Sequence, residues 1–345
     1  TGLELTAEDF VGRDHGMENR TGIQTLAYED EVGLLLCPDA MIFYERESPQ
    51  AARVSVQRIH ESMIDLCELA KDRFAILDLP KVRDLEEVKQ ARRARDSDYV
   101  AYYYPWLQVS PPGEKVVLVP PSGHVAGVYA RCELRDGVHK APANEVIQGA
   151  TQLSLALADD HIGQLNSEGV NTLRAFVHPT HPATEGQAPT GRGIRIWGAR
   201  TTSHSVDWRY VNVRRLFIML RRSLIKGTQW VTFEPNTPKT WQLVEREIEL
   251  FLRGLYERGF FAGGAPQESY LVRCNGENNT AERIDAGIMT ADVRVAPALP
   301  ADAPGACTPE PPGTDRHARR HAGRRGRRPA RRARDRSRRT SGRPG

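Results

Sequence analysis

Apolar and polar positions alternate along the chain between strand-like and helix-like patterns. Short apolar runs rich in β-branched and aromatic residues predict strands, and apolar residues spaced three and four apart predict helices with one buried face. Besides a strand that ends at the double proline of residues 120 and 121, the predicted strands lie in residues 32–37, 73–80, 98–107, 165–177, 193–198, 230–233, 269–274 and 288–297. This order of strands and helices predicts an α/β protein.

The first half of the chain contains three predicted helices. Ser48 and Pro49 supply an N-cap and a first helical position, and a buried face follows at Val56, Ile59, Met63 and Leu66. A short charged helix is predicted over residues 85–95, and a close-packed helix is predicted after Ser122. Strands and helices therefore alternate in a βαβαβ order.

Two long helices are predicted in the second half. Asp207 is a candidate N-cap for a helix from Trp208 to about Lys226. The buried side of that helix is predicted at Val213, Phe217, Leu220 and Leu224. Thr237 and Pro238 begin the next helix, which ends near Gly259. The inward face of this last helix is predicted at Trp241, Val244, Ile248, Phe251 and Leu255.

The Pro-, Gly- and Thr-rich segment 178–191 predicts a surface loop and a domain boundary. We expect one domain in residues 1–177, a second in residues 192–300 and a separate tail in residues 301–345. The chain opens with Thr1 and without a basic or apolar leader pattern, so we expect it to begin inside a longer gene product.

The formal charge of +4 hides an asymmetry between the tail and the rest of the chain. Residues 301–345 carry fourteen arginines and four acidic residues, a net charge of +10, which leaves −6 for residues 1–300. A mildly acidic body argues against a duplex-binding surface over the whole molecule. No apolar run reaches the roughly 20 residues that a membrane-spanning helix needs.

Candidate chemistry is sparse. The sequence has no phosphate-binding loop, no complete dinucleotide fingerprint, no zinc-protease motif and no nucleophile elbow. His178 and His181 lack a nearby acid or cysteine with metal-ligand spacing, so we interpret them as exposed loop residues. Ser122 with His124, or Cys132 with His139, are the pairs that resemble a nucleophile and its base. The five scattered cysteines indicate buried free thiols rather than a disulfide framework. We therefore expect no enzyme activity and no cofactor.

An arginine-rich segment surrounds the predicted helix 208–226. It contains Arg200, Arg209, Arg214, Arg215, Arg221 and Arg222. A seven-residue spacing is nearly two helical turns, so 214 and 221 share one face of the helix, and 215 and 222 share another. The arginines form either a solvated face balanced by an acidic neighbouring helix or a docking surface, because Arg and Trp are enriched at interface hot spots.

Nine sequence blocks stand out between residues 22 and 300. In chain order they read YYYPWL, VPPSGHVAGVYAR, GVHKAPAN, LNSEGVNTLRAF, GRGIRIWGART, WRYVNVRRL, FEPN, FLRGLYERGFFAGG and DAGIMTADVRVAP. Each block alone is a weak signal, but nine blocks in one order are specific. Through them the chain resembles the sheath subunit of contractile phage tails and of related contractile injection systems.

The resemblance implies a structural protein with two α/β domains and mixed sheets. Sheath subunits of this family stack around an inner tube, and terminal arms of one subunit add strands to a sheet of its neighbours. The extended sheath is metastable, and its contraction slides the subunits into a more compact lattice that drives the tube through a target envelope. The implied partners are further copies of the chain, the inner tube protein, and baseplate and terminator components, without membrane insertion or nucleic acid. The implied locations are the bacterial cytoplasm during assembly and the virion tail or an extracellular contractile particle afterwards.

By the same resemblance, residues 197–201 belong to the core of the C-terminal domain, where the strand passes into a loop. They are Trp197, Gly198, Ala199, Arg200 and Thr201. The resemblance also implies that the arginines of the helix contact the tube or a neighbouring subunit. These candidates are Arg209, Arg214, Arg215, Arg221 and Arg222. We expect that reversing the charge of Arg214 and Arg221 leaves the monomer folded and impairs assembly.

The chain departs from the family pattern at both ends. The family's usual N-terminal region and arm are not visible ahead of Thr1, so we expect a fragment or a shortened member, and after Pro300 the sequence lacks Val, Leu, Ile, Met, Lys and aromatic residues. Such a tail forms neither a strand pair nor a core. Three explanations remain for it: a polyanion- or nucleic-acid-binding arm, a solvated terminus without a partner, or the product of a shifted reading frame. The alternative to a sheath subunit is a polyanion-binding protein that acts through this tail.

Overall fold

Three sheets and ten α-helices make up the described part of the chain. The computed structural model describes residues 5–16, 19–92, 95–110, 113, 115–177 and 191–301. The strands are β1 Leu34–Leu36, β2 Phe74–Asp78, β3 Val100–Tyr104, β4 Leu107–Val109, β5 Val117–Val119, β6 Ala150–Leu153, β7 Val170–Val177, β8 Gly191–Trp197, β9 Tyr270–Arg273 and β10 Asp292–Val295. The α-helices are α1 Ala7–Val11, α2 Phe43–Arg46, α3 Pro49–Ala70, α4 Leu85–Arg92, α5 Ser122–Asp136, α6 Asp159–Ser167, α7 Val211–Gly227, α8 Pro238–Glu257, α9 Pro266–Ser269 and α10 Ala281–Asp285. Short 3-10 helices span Gly22–Tyr28, Pro38–Ile42 and Gln229–Val231.

A five-stranded sheet in the order β1-β2-β3-β7-β8 lies at the centre. Strands β1, β2, β3 and β7 are parallel, and β8 is antiparallel to β7. All five residues of β2 and all five residues of β3 are buried. This agrees with the expectation that parallel strands covered on both faces are continuously apolar. A three-stranded antiparallel sheet β5-β4-β6 and the two-stranded ribbon β9-β10 complete the structure, so the predicted α/β class with mixed sheets is confirmed.

Each face of the central sheet carries its own core. Helix α3 covers one face, and its buried residues Val56, Ile59, Met63 and Leu66 are those that the spacing predicted. The Ser48 side chain accepts a hydrogen bond from the Ala51 N–H, as predicted for an N-cap. On the other face, Val125, Val128 and Tyr129 of α5 pack with alternate residues of β2 and β3. The first half of the chain is therefore a sheet with a helix on each side.

A third core lies between α7, α8 and the ribbon β9-β10. Helix α8 begins after Thr237 with Pro238 and buries Trp241, Val244, Ile248 and Leu255, while Phe251 is half-buried. Leu216 and Leu220 of α7 pack onto this cluster. The predicted inward face of α8 is thus confirmed, with Leu252 as a further buried residue at the same helical spacing.

The predicted domain boundary, residues 178–191, falls at the connection between β7 and β8, which are two strands of the same sheet. Residues 178–190 of the predicted connector lie outside the described residues. The strand after it, β8, pairs with β7 from Thr172 opposite Trp197 to Val177 opposite Gly191. The first strand that we assigned to the second domain therefore completes the sheet of the first, and residues 1–301 form one compact unit. The division into two domains remains a prediction.

Helix α7 begins at Val211, so the prediction of an Asp207 cap and a start at Trp208 was wrong. Residues 208–210 pair instead with the segment after β8: the Thr201 N–H donates to the Arg209 carbonyl at 2.8 Å, and the Thr201 hydroxyl donates to the Trp208 carbonyl at 2.7 Å. Because these carbonyl groups accept hydrogen bonds within the loop, helix α7 begins about one turn later than predicted. Because α7 lies between two cores, Val211, Leu216 and Ile218 are buried on its different sides.

The predicted strand at residues 230–233 was also wrong. The segment forms the 3-10 helix Gln229–Val231 and a turn that leads into α8. Backbone N–H groups bond locally, from Val231 to the Thr228 carbonyl at 3.1 Å and from Thr232 to the Gln229 carbonyl at 3.2 Å. No neighbouring strand approaches this segment within the described ranges. Short apolar runs become strands only where a partner satisfies their backbone groups.

The described cysteines are free thiols, as predicted. Cys67, Cys132 and Cys274 are buried and Cys37 is half-buried, while Cys307 lies outside the described residues. Burial raises the pKa of the Cys67 thiol to about 12 and that of Cys37 to about 11. No helix in the described ranges is long and apolar enough to span a bilayer.

A buried carboxylate links the central sheet to α5. Asp78 ends β2 and is 2% exposed, and its two oxygens accept hydrogen bonds from the Ser122 backbone N–H at 2.8 Å and from the Ser122 hydroxyl at 2.5 Å. Desolvation raises the pKa of Asp78 to about 7, against the opposing effect of these hydrogen bonds. The helix N-terminus also favours the ionised form.

The Asp78→Asn variant tests this contact. The folded-state pKa of Asp78 lies above its unfolded value, so its contribution to stability is complete in acid and is lost as the pH rises through 7. We expect the stability of the parent chain, relative to Asp78→Asn, to fall by about 2 kcal/mol between pH 5 and pH 8. Urea unfolding of both proteins at the two pH values measures this difference. Equal pH dependence in parent and variant would contradict the buried ionisable contact.

Candidate assembly surface

Arg214 of α7 is buried, with 8% of its surface exposed. Its guanidinium forms an ion pair with Asp98 and donates to the Tyr99 hydroxyl at 3.3 Å. The guanidinium carbon also lies 3.6 Å from the ring centroid of Trp208 and 4.4 Å from that of Tyr99. Trp208 in turn packs edge-on against Phe217, with ring centroids 4.9 Å apart. Arg214 therefore joins α7 to the segment that precedes β3.

Arg215 is held in a similar way on the other side of α7. It is 9% exposed, it forms an ion pair with Glu133 of α5 at 2.5 Å, and its guanidinium carbon lies 4.8 Å from the Tyr129 ring centroid. The Tyr129 hydroxyl is hydrogen-bonded to that of Tyr103 at 2.6 Å. Burial, followed by the neighbouring hydroxyl, keeps the pKa of Tyr103 well above its usual value. Arg215 thus fixes α7 to α5 and the sheet.

The remaining arginines of the predicted contact set are more accessible. Arg221 is exposed, and Arg209 is half-buried. Arg222 is half-buried and donates to the backbone carbonyl of Asp30. Arg214 and Arg215 are buried within their own chain, which disfavours these two as contacts for a tube or a neighbour; the predicted contact set itself stays a prediction. Both guanidinium groups are directed at carboxylates of their own chain, Asp98 and Glu133.

Residues 197–201 form the junction between β8 and α7. Ala199 and Thr201 are buried, and Trp197, Gly198 and Arg200 are half-buried. The Ala199 carbonyl accepts the first N–H of α7, from Val211, at 2.9 Å. This segment, predicted as the core of a separate C-terminal domain, packs against the central sheet.

The central residue of the junction is Asn171 of β7, which the sequence analysis missed. It is fully buried. Its amide nitrogen donates to the Arg200 carbonyl at 2.8 Å and to the Tyr102 carbonyl at 3.2 Å, and its oxygen accepts the Arg200 N–H at 2.7 Å. A polar residue inside an apolar strand run was the available signal, because buried amides need partners from outside their own strand. Gly198 is required beside it, since a Cβ there would lie 2.8 Å from the Asn171 oxygen.

The ribbon β9-β10 presents two strand edges. Asp292 pairs with Arg273 and Val295 with Tyr270 in an antiparallel register. Among the described residues neither strand has a second partner strand, although Asn278 donates to the Arg273 carbonyl at 2.7 Å and Pro297, just beyond β10, bridges to Phe261. A two-stranded ribbon is marginally stable alone, and its free N–H and C=O groups are a template for further strands.

The pairs that resembled a nucleophile and base have other roles. The Ser122 hydroxyl is buried and donates to Asp78. His139 stacks on Phe260 with ring centroids 4.0 Å apart, and burial lowers its pKa. His178 and His181 lie outside the described residues. Ser122 and His139 therefore make structural contacts within the fold.

One group of potential metal ligands occurs in the described ranges. Cys132, Asp136 and Glu145 bring ligand atoms within 4.8 Å of one another. Arg135 already occupies this acidic pair, with 2.6 Å to Asp136 and 2.7 Å to Glu145. Burial raises the pKa of the Cys132 thiol, which disfavours the thiolate that metals bind. The group is better described as an ion-pair cluster.

Comparison with protein families identifies two matching segments. The phage tail sheath protein central domain matches residues 48–180, and the phage tail sheath C-terminal domain matches residues 203–302. The tail sheath protein of Salmonella phage ViI is 25% identical over 222 residues, which cover 62% of this chain and 32% of that protein. The chain therefore spans about a third of the length of that curated relative.

Comparison with solved structures finds similar sheath subunits. The helical sheath of the anti-feeding prophage in its contracted state is similar with a TM-score of 0.65 and 30% identity, over 81% of this chain and 70% of that chain. The sheath complex of an extracellular contractile injection system, PVC, also in its contracted state, has a TM-score of 0.64 and 31% identity. That match covers 75% of this chain and 69% of the PVC chain.

Proposed function

This chain belongs to the phage tail sheath protein family, and we propose that it is a structural subunit of a contractile sheath. In this proposal the chain polymerises around an inner tube and contracts to drive the tube through a target envelope. The similarity to contracted sheath subunits over 81% of the chain is the main support. The work comes from the change of lattice and requires no nucleotide hydrolysis by the subunit. Baseplate and terminator components are the further proposed partners, and a virion tail or an extracellular contractile particle is the proposed site of action.

The contacts between the central sheet, α5 and α7 support their movement as one rigid body. The Asn171 junction and the two buried arginines join the central sheet, α5 and α7 through hydrogen bonds and ion pairs. Contraction that alternates between two discrete packings requires rigid units with flexible links between them. We therefore assign the flexible links to segments outside this body.

The ribbon β9-β10 is our candidate for the link between copies. Its two edges accept strands from neighbouring subunits, and β-strand addition of this kind gives affinity through main-chain hydrogen bonds. Repetition of one such head-to-tail contact builds an open helix. The matched C-terminal domain ends at residue 302, where the arginine-rich segment begins. That segment lies outside the described residues, and which arm supplies the added strand is part of the test.

A pair of proline variants tests the ribbon. Neighbouring residues of a strand direct their N–H groups to opposite sides, so Val293→Pro and Arg294→Pro remove donors from different edges of β10. We expect one variant to lose the β9-β10 pairing and stability. The other variant keeps the melting temperature of the parent but loses most of its polymer. The polymer is measured by sedimentation and negative-stain microscopy of the chain mixed with its tube protein.

The control is the Arg283→Ala substitution in α10, which lies between β9 and β10 in the chain but outside the ribbon. A parent chain that stays monomeric beside its tube protein would refute the sheath proposal. Normal polymers from both proline variants would refute the role of the ribbon and leave the sheath proposal intact.

A further inference from the structure

Phe233 is unusual in both exposure and backbone conformation. Its side chain is 101% exposed, the highest value among the large apolar residues described. Its φ of +73° lies in the left-handed region that aromatic residues rarely adopt. Strained residues of this kind cluster at functional sites, because the surrounding structure must hold them there. The side chain of Phe233 is not packed within the fold, and the family resemblance gives it no role.

Two hydrogen bonds stabilise the turn around Phe233. On one side the Trp230 indole donates to Glu247 of α8 at 2.8 Å, and on the other the Glu234 N–H donates to the Val231 carbonyl at 3.0 Å. Glu234 is exposed, and its carboxylate forms no ion pair with any described residue. The turn therefore presents an aromatic ring and a carboxylate side by side; we name this pair, Phe233 and Glu234, the acidic tip.

A groove of about 540 Å³ lies elsewhere on the surface, between α5, α7 and the start of β1. Its floor is apolar and includes Leu34, Phe74, Ile218 and Met219. Its rim includes Arg222 and Lys226, while Glu133 at the same rim is already paired with Arg215. Lys226 is exposed and has no ion pair within the described residues. We name this feature the α5-α7 groove; its apolar floor and basic rim complement the acidic tip.

We propose that the acidic tip of one copy docks into the α5-α7 groove of the next copy. The phenyl ring of Phe233 lies on the apolar floor, and the Glu234 carboxylate pairs with Lys226 and Arg222. Within one copy the tip is fully exposed, so tip and groove meet only between copies. Tip and groove are different surfaces, and a contact between different surfaces repeats head to tail as an open helix. The inference rests on the proposed function and adds to it a contact that does not involve strand exchange.

Two cysteine variants test the contact directly. Ser223 lines the groove, so Ser223→Cys and Phe233→Cys place one thiol in each partner surface. We expect the two purified full chains, mixed and oxidised in air, to form a disulfide between the two introduced thiols, identified by peptide mass spectrometry and distinct from the homodimers that an exposed thiol forms with itself. Leu69→Cys, at a residue that is 82% exposed on α3, replaces Phe233→Cys in the matched control. A yield no higher than that of the Leu69 control would overturn the proposal.

A charge exchange tests the rim independently. Glu234→Lys and Lys226→Glu each place two like charges at the contact, and each is expected to raise the concentration needed for polymerisation by about threefold or more. The double variant restores the parental value, because the pair is rebuilt with the charges exchanged. Additive effects of the two substitutions would contradict the pairing.

The outcomes separate this contact from the sheath proposal. Polymers that form without the cross-link or the charge effect remove the contact and leave the sheath function intact. A cross-link without polymers supports the contact and contradicts the sheath lattice. If neither polymers nor the cross-link forms, both proposals fall.

Discussion

Arg214→Glu is expected to destabilise the folded chain strongly rather than to leave the fold intact and impair assembly alone. Arg214 is 8% exposed, and its ion-pair partner Asp98 would face a second carboxylate. Removing one partner of a buried ion pair costs about 3–5 kcal/mol, and a reversed charge adds repulsion. The contacts of the guanidinium with Trp208 and Tyr99 are lost as well. We expect a melting temperature lower by about 10 °C or more, measured by circular dichroism.

Arg221→Glu is the matched control for this prediction. Arg221 lies on the same helix one heptad later and is exposed, so its reversal is expected to change the melting temperature by no more than about 2 °C. Any assembly defect of Arg221→Glu would then report a contact with a partner. Equal melting temperatures of Arg214→Glu and the parent would contradict the buried role of Arg214.

A second pair of variants keeps the test valid if Arg214→Glu cannot be purified. Arg214→Met retains an unbranched stem but leaves Asp98 without its partner, and Asp98→Asn then removes the uncompensated charge. We expect Arg214→Met to be less stable than the double variant, because the half-buried charge of Asp98 without a partner costs more than a neutral side chain. Urea unfolding of both single variants and the double variant measures the coupling.

Asn171→Leu is expected to have the second-largest effect, because leucine has similar volume but no hydrogen-bonding groups. The substitution leaves the Tyr102 carbonyl and both backbone groups of Arg200 without the partners that Asn171 provides. Each of the three hydrogen bonds lost contributes about 0.5–1.5 kcal/mol net, so we expect a loss of about 2–4 kcal/mol in the free energy of unfolding. Urea titration measures this loss.

Hydrogen exchange localises the effect of Asn171→Leu. The Arg200 N–H donates to the Asn171 oxygen at 2.7 Å, so its exchange is expected to accelerate more than that of the β2 amides at the centre of the sheet. Asn19→Leu, at an exposed residue, is the control for the change in side-chain type. Unchanged exchange at Arg200 would contradict the role of Asn171 in joining the sheet to α7.

Elements with strong local signals were predicted correctly from the sequence. Helix α3 has an N-cap, a proline and four regularly spaced apolar residues, and α8 has the same combination. Strands β2 and β3 are short runs of mainly apolar and aromatic residues, and all ten of their residues are buried. In these elements the periodicity and the end signals point to the same structure, and tertiary contacts do not change it.

Elements with equivocal local signals were decided by their neighbours. Residues 230–233 have the composition of a strand but no partner strand, so their backbone groups bond within a turn. The start of α7 moved from Trp208 to Val211 because residues 208–210 pair with residues 200–201. Strand β8 follows the predicted boundary in the chain but completes the sheet before it, because its backbone N–H and C=O groups pair with those at the edge of β7.

The sequence by itself determined the α/β class, α3 and α8 with their buried faces and, through nine ordered blocks, the family. It also located the arginine-rich segment of α7. Only the tertiary structure decided which of those arginines are exposed. Arg214 and Arg215 form ion pairs with Asp98 and Glu133, which lie more than 80 positions away in the chain, while Arg221 is exposed. Helical spacing defines the direction in which a side chain points, but not what lies there, because packing brings distant segments together.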